Sequence, residues 1–141
     1  MSDGAPPLTE AGPGAQDRVL LVLTNLPDRA AAETLAAALV AQRLAACVNI
    51  LAPCLSVYRW KGAVQQDEEH PLLVKTTAGR YAALETAIRA GHPYELPEIV
   101  AVPVECGLPE YLRWVASETA PETVSATPPQ AALETPLENP P

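Results

Sequence analysis

The sequence has little positive charge and no long apolar run, and each absence excludes a class of partner. Only 9 of its 141 residues are lysine or arginine, against 17 acids. Because nucleic-acid binding requires clustered basic side chains, we expect no nucleic-acid partner. No stretch reaches the roughly 18 uncharged apolar residues of a membrane-spanning helix, so we expect no membrane partner either.

Phenylalanine is absent and cysteine is scarce, so leucine, valine, alanine, tyrosine and tryptophan must fill the core. The three cysteines, Cys47, Cys54 and Cys106, lack the close spacing of metal ligands. Reduced, buried thiols are typical of cytosolic proteins, so we expect a cytoplasmic location. Cys47 and Cys54 have an odd separation, which puts them on opposite faces of an unbulged strand and disfavours a disulfide or a shared metal.

Proline and charge are unevenly distributed along the chain and mark one central domain. All 9 basic residues lie in 18–119, whereas segments 1–17 and 120–141 hold 9 of the 16 prolines. Segments of this composition bury too little apolar surface to offset the entropy lost on ordering. We therefore predict disordered tails at 1–17 and 120–141, the second proline-rich and acidic, around a single domain at 18–119.

Hydrophobic periodicity predicts seven elements within this domain. They are a strand at 18–24, a helix at 30–44, strands at 46–60 and 64–77 joined by a turn, a helix at 79–91, a strand at 98–106 and a helix at 109–117. The order β-α-β-β-α-β plus a C-terminal helix predicts an α+β fold, the ferredoxin-like split β-α-β sandwich. Its second and third strands form a long hairpin, and Pro53 predicts a bulge, a bend or an edge position there.

Two of the predicted strands are apolar on both faces. Segments 20–23 and 99–102 do not alternate apolar and polar residues, as a strand with one face in water should. Two crossover helices cover only one face of a four-stranded sheet. Leaving the second face wet would cost several kcal/mol at about 25 cal/mol per Å². The pattern therefore predicts a closed homo-oligomer.

Five segments together resemble the CutA divalent-cation-tolerance family over about residues 18–119. They are AACVNI at 45–50, SVYRWKG at 56–62, VKTT at 74–77, HPYELPEI at 92–99 and YLRW at 111–114. The resemblance implies a ferredoxin-like subunit of a homotrimer, similar to the PII signalling proteins, with a role in tolerance of divalent metals, copper especially. The chain has Thr24 where some relatives carry a cysteine, which argues against a copper–thiolate site there.

His92, Glu95 and Glu98 are the candidate metal ligands, because neutral imidazole suits copper and zinc. Three or four protein ligands are usual for a transition metal, and the only other histidine, His70, lies in the charged hairpin. A site at His92 must therefore recruit Glu95, Glu98 or a second subunit. The alternative role for His92 is to cap a helix or to contact another subunit, held in extended backbone before Pro93.

A second candidate site is an inter-subunit cleft lined by aromatic side chains. Tyr58, Trp60, Tyr94 and Trp114 could form its walls, with Lys75 holding an anion. Aromatic residues are also enriched in interface cores, so packing between subunits is the alternative.

The acidic run 67–69 in the hairpin has a protective or a metal-binding interpretation. It is typical of a solvated edge that discourages strand pairing between molecules. The alternative is a weak site for hard cations, bound through carboxylate oxygens.

These patterns predict a non-catalytic, trimeric, cytosolic protein that binds copper or another divalent cation. The alternative is a PII-like trimeric sensor of a small anionic metabolite that signals to a partner. We expect no enzyme, since no P-loop, G-x-G-x-x-G, G-x-S-x-G or H-E-x-x-H motif is present. Acid–base chemistry at His92, Glu95 and Glu98 is the remaining catalytic possibility.

Overall fold

The structure is a computed structural model that describes residues 14–121. Its strands are β1 (Val19–Leu26), β2 (Cys47–Ile50), β3 (Cys54–Trp60), β4 (Ala63–Thr77) and β5 (Val100–Pro103). Its helices are α1 (Arg29–Ala41), α2 (Tyr81–Gly91) and α3 (Pro109–Glu118), with single 3₁₀ turns at Ala15–Asp17 and Ala78–Arg80. Most of the two predicted tails lies outside the described residues.

One antiparallel sheet organises the domain, in the strand order β2-β4-β1-β5. Strand β4 is long enough to pair twice on the same side, with β2 along its second half and with β3 along its first. The β3–β4 hairpin therefore extends beyond β1, which ends where Leu26 pairs with His70. The predicted α+β class is confirmed, with an antiparallel sheet and three helices.

Two predicted strands are shorter than the apolar pattern indicated. The strand expected at 46–60 is broken into β2 and β3, and Pro53 lies in the break. Proline has no N–H to donate to the ladder, so the chain bends at this point. The strand expected at 98–106 is limited to β5, which ends at Pro103, although the Val104 N–H still donates a hydrogen bond of 3.0 Å to the Val19 carbonyl.

Helices α1 and α2 cover one face of the sheet and enclose the core. Asp28 caps α1, because its carboxylate accepts a hydrogen bond of 2.8 Å from the Ala31 N–H. The helices present a stripe of apolar side chains, of which Leu39 and Leu84 are fully buried, to fully buried residues of the sheet such as Val22 and Val74. Polar Thr24 and Thr76 share this sheet face with the valines.

Helix α3 covers only one end of the opposite face. Its Val115 is fully buried, and the Thr119 hydroxyl lies 3.5 Å from that of Thr77. The rest of this face carries an apolar patch beside Lys75 and Asn49, and the patch is uncovered: Val100 and Val102 keep 48% and 47% of their surface exposed in the single chain.

Candidate functional site

A groove of about 920 Å³ runs between the β3–β4 hairpin and residues 93–100, which comprise the segment connecting α2 to β5 and the first residue of β5. Side chains from β3, from the end of β1 and from this segment line it. Another groove of about 500 Å³ separates α1 from α2, but its lining contains no charged side chain. The hairpin groove is therefore the candidate functional site.

Aromatic rings form the walls of this groove. Register alternation puts Tyr58 and Trp60 of β3 on the same face of the hairpin, and Tyr94 faces them from the connecting segment. The structure thus brings three of the five predicted cleft residues together.

Each of the two groove tyrosines lies beside a carboxylate of β4. The Tyr58 hydroxyl donates a hydrogen bond to Asp67, which raises the pKa of that phenol. Burial, reinforced by the charge of Glu69, raises the pKa of Tyr94 to about 12. Both phenols are therefore neutral at physiological pH.

Both ring nitrogens of His92 are bonded to the backbone. Its Nδ1 accepts a hydrogen bond of 3.2 Å from the Tyr94 N–H, so Nε2 carries the proton and donates to the Asn25 carbonyl at 2.6 Å. Burial lowers the pKa of this nearly inaccessible imidazole, although the Asn25 carbonyl and the charge of Glu69 oppose the shift. Within the chain, His92 therefore fixes the start of the connecting segment against the end of β1.

The two other predicted metal ligands lie at the groove but point to different partners. Glu98 accepts a hydrogen bond of 3.3 Å from the Asn25 side chain, whereas the Glu95 carboxylate lies 3.9 Å from the Lys61 ammonium. Among the described residues, no three histidine, cysteine, aspartate or glutamate side chains are grouped so that they could hold a metal ion. The donor set of the single chain therefore does not fit a transition metal by itself.

Lys75 and Trp114 do not line the groove. The Lys75 ammonium donates hydrogen bonds to the Asn49 side chain and, at 3.8 Å, to the Cys47 sulfur, all on the sheet face opposite α1. Trp114 stacks on Tyr111 in α3, with ring centroids 5.6 Å apart.

Sequence reasoning did not include Asn25 and Lys61 among the site residues, and it considered Glu69 only within the acidic run 67–69, as an alternative site for hard cations. Asn25 ends an apolar strand, and Glu69 belongs to an acidic run that is typical of a solvated edge. Lys61 occupies the hairpin turn, in left-handed backbone with φ 48°. The hairpin register was the only signal that could have placed Glu69 at the site, because it pairs Cys54 with Glu69 and so brings the acidic run beside β3.

Comparison with known proteins identifies the class to which this fold and groove belong. The model of the CutA1 divalent ion tolerance protein family matches residues 20–118. A divalent-cation tolerance protein CutA of Thermus thermophilus is 48% identical over 99 residues, which are 70% of this chain and 96% of the relative.

Two solved structures are also similar to this chain. CutA of Xylella fastidiosa has a TM-score of 0.71 at 45% identity and covers 72% of this chain and 98% of its own. The periplasmic divalent cation tolerance protein CutA of Archaeoglobus fulgidus has a TM-score of 0.70 at 34% identity, covering 72% and 98%. The chain belongs to the CutA1 divalent ion tolerance family, and the predicted resemblance is confirmed.

Proposed function

We propose that this chain forms a ferredoxin-like, homotrimeric, cytoplasmic protein that binds copper or another divalent cation and acts in metal tolerance without catalysis. The uncovered apolar sheet face carries the oligomeric part of the proposal, and the match to the CutA1 divalent ion tolerance family carries the part on metal tolerance. Leu21 and Leu23 pair in register with Val102 and Val100, so the four side chains share that face. Such a patch on a single chain marks an interaction surface.

The strand order and the cysteines support the finer parts of this proposal. Two helices on one face of an antiparallel sheet, with β5 and β2 at its edges, suit the ferredoxin-like arrangement. Cys47, Cys54 and Cys106 are free thiols, which suits a reducing compartment such as the cytoplasm, but Cys54 and Cys106 are exposed and not buried as expected.

The proposed metal ligands are His92, Glu95 and Glu98, completed by donors from a second subunit. Metal binding at His92 requires one ring nitrogen to give up its backbone bond, so the segment 93–98 rearranges when the cation binds. We do not propose the anion-sensing alternative. Lys75 lies away from the groove, and the groove lining among the described residues carries three glutamates against one arginine.

Calorimetric titration of Cu²⁺ into the metal-free oligomer tests the proposed site. His92→Ala, and separately a Glu95→Gln/Glu98→Gln variant, should weaken binding by at least about tenfold, because both remove ligands from a small donor set. His70→Ala, which removes the other histidine, should bind as the parent does. Equal binding by all of these proteins would exclude His92, Glu95 and Glu98 as the ligands.

A further inference from the structure

The groove of about 500 Å³ between α1 and α2, the interhelical groove, lies in the helical layer. The sheet face that we assign to contact between subunits is on the other side of the molecule, so the proposed assembly leaves this groove open. Residues of α1 from Ala30 to Gln42 and of α2 from Ala87 to Gly91 line it, and most of them are alanine, leucine or glycine. An apolar side chain in the groove would therefore meet mainly carbon atoms.

The chain leaves the described domain beside one end of this groove. Arg43 directly follows Gln42, and its guanidinium donates hydrogen bonds to the Ser117 carbonyl at 3.1 Å and to the Ala120 carbonyl at 3.2 Å. These bonds hold the end of α3 and the residues after it against the end of α1. The segment 122–141 therefore begins near the Gln42 end of the interhelical groove.

The segment 122–141 has apolar side chains but too few to form a core of its own. Four of its six alanine, valine and leucine residues lie in AALETPL at 131–137. Leu133 and Leu137 are the largest of them, and burial of a leucine side chain is favourable. A surface on the domain is the nearest place where these two side chains can leave water.

The segment is long enough to lie along the whole groove. An extended chain spans about 3.3 Å per residue, so Leu133 can lie up to about 40 Å from Pro121. The stretch of α1 from Ala30 to Gln42 is about 18 Å long, at 1.5 Å per residue. Leu133 and Leu137 are about 13 Å apart in an extended chain, so both fit within that length.

The charges of the segment and of the helices beside the groove are complementary. All charged residues of 122–141 are glutamates, two of which, Glu134 and Glu138, flank the apolar run. Arg29 and Arg89 are exposed and precede lining residues of α1 and α2 respectively. Arg29 already pairs with Glu33 at 3.4 Å, but this exposed pair is weak and exchanges easily.

We propose that segment 131–138 docks in extended form in the interhelical groove of its own chain, with Leu133 and Leu137 as apolar anchors. The tether gives the segment an effective concentration in the millimolar range, so a weak contact is enough to fill the groove. An outside partner of this helical surface must then displace the segment. The proposal does not depend on the proposed metal site.

Nuclear magnetic resonance of the isotope-labelled, full-length protein tests the proposal from the side of the groove. Ala38→Glu places a charged side chain in the apolar groove and should release the segment, which lowers the heteronuclear NOE of the backbone amides at 131–138. Ala37→Glu is the matched control, because Ala37 is an exposed neighbour on α1 that does not line the groove. It should leave these NOE values unchanged. Equal values in the parent and in both variants would overturn the proposal.

The same measurement from the side of the segment does not disturb the described domain. Leu133→Ser/Leu137→Ser should shift the amide resonances of Thr34 and Ala38, whereas Val124→Ser, outside the docking segment, should not. Unchanged groove resonances in the double variant would show that the segment does not dock. Groove resonances of the parent that shift with protein concentration, and do so equally in the double variant, would overturn the proposal in favour of a second copy of the chain as the occupant.

Discussion

His92 couples the end of α2 to the end of β1 through both of its ring nitrogens. The imidazole donates to the Asn25 carbonyl and accepts from the Tyr94 N–H, and both bonds need the neutral Nε2–H tautomer. A second proton, on Nδ1, would turn that nitrogen into a donor that faces the Tyr94 N–H, which is also a donor. Protonation of this one side chain therefore loosens the segment that forms a wall of the groove.

Acidification should destabilise the protein through His92. Burial lowers its pKa in the folded state below 6.5, so the unfolded chain binds the proton more readily. Neutral His92 therefore stabilises the folded state above pH about 6.5. This contribution to the free energy of unfolding is lost as the pH falls from that value towards the lower folded-state pKa of His92. Chemical denaturation of the parent at several pH values measures the slope.

His92→Gln gives the comparison for this prediction. The variant should be less stable than the parent at pH about 7.5, because glutamine cannot reproduce both bonds, and its stability should fall less on acidification. Identical pH slopes in parent and variant would show that other groups cause the acid sensitivity.

At the scale of the element, α1 depends on its cap. Asp28 supplies the acceptor for one of the otherwise unpaired N–H groups in the first turn. Asp28→Ala should reduce the free energy of unfolding by about 1 kcal/mol, measured by urea denaturation at fixed protein concentration. Asp28→Asn keeps a capping oxygen and should lose much less. A loss as large in Asp28→Asn as in Asp28→Ala would contradict the capping role.

The elements could be predicted from sequence wherever periodicity, a cap or a proline set them. The run at 18–24 predicted β1, and apolar spacing predicted α1 and α2. The positions at which the elements end were predicted less accurately. The apolar pattern predicted one strand at 46–60 with a bulge, a bend or an edge position at Pro53, and the structure breaks the strand there, at 51–53.

At the scale of the molecule, the uncovered sheet face should hold subunits together. Val102→Glu places a charge in this face and should convert the oligomer to monomers, because burial of a charge without a partner is costly. Analytical ultracentrifugation measures the change in mass. Val40→Glu is the matched control, since Val40 is 43% exposed on helix α1, in the opposite layer.

Val102→Glu and Val40→Glu introduce the same charge at similarly exposed valines, so the two variants differ only in the face of the molecule that carries the charge. An oligomer that survives Val102→Glu, or one that Val40→Glu dissociates equally, would show that this face is not the interface. A parent protein that remains monomeric at micromolar concentration would also contradict the proposed assembly.

The sequence alone determined the class of this protein and predicted a sheet with a second apolar face. Residues that do not alternate between apolar and polar predict a sheet buried on both faces, and local motifs such as HPYELPEI at 92–99 carry the family resemblance. Both signals lie in short stretches of chain. Local patterns of this kind can be read without knowledge of long-range contacts.

Only the tertiary structure decided which side chains form the groove. The hairpin register places Asp67 and Glu69 beside β3, and the path of the chain after α2 brings Tyr94 to them. The structure also places Lys75 outside the hairpin groove of the single chain and bonds both nitrogens of His92 to the backbone. These contacts join residues distant in sequence, and no local periodicity encodes which distant residues meet.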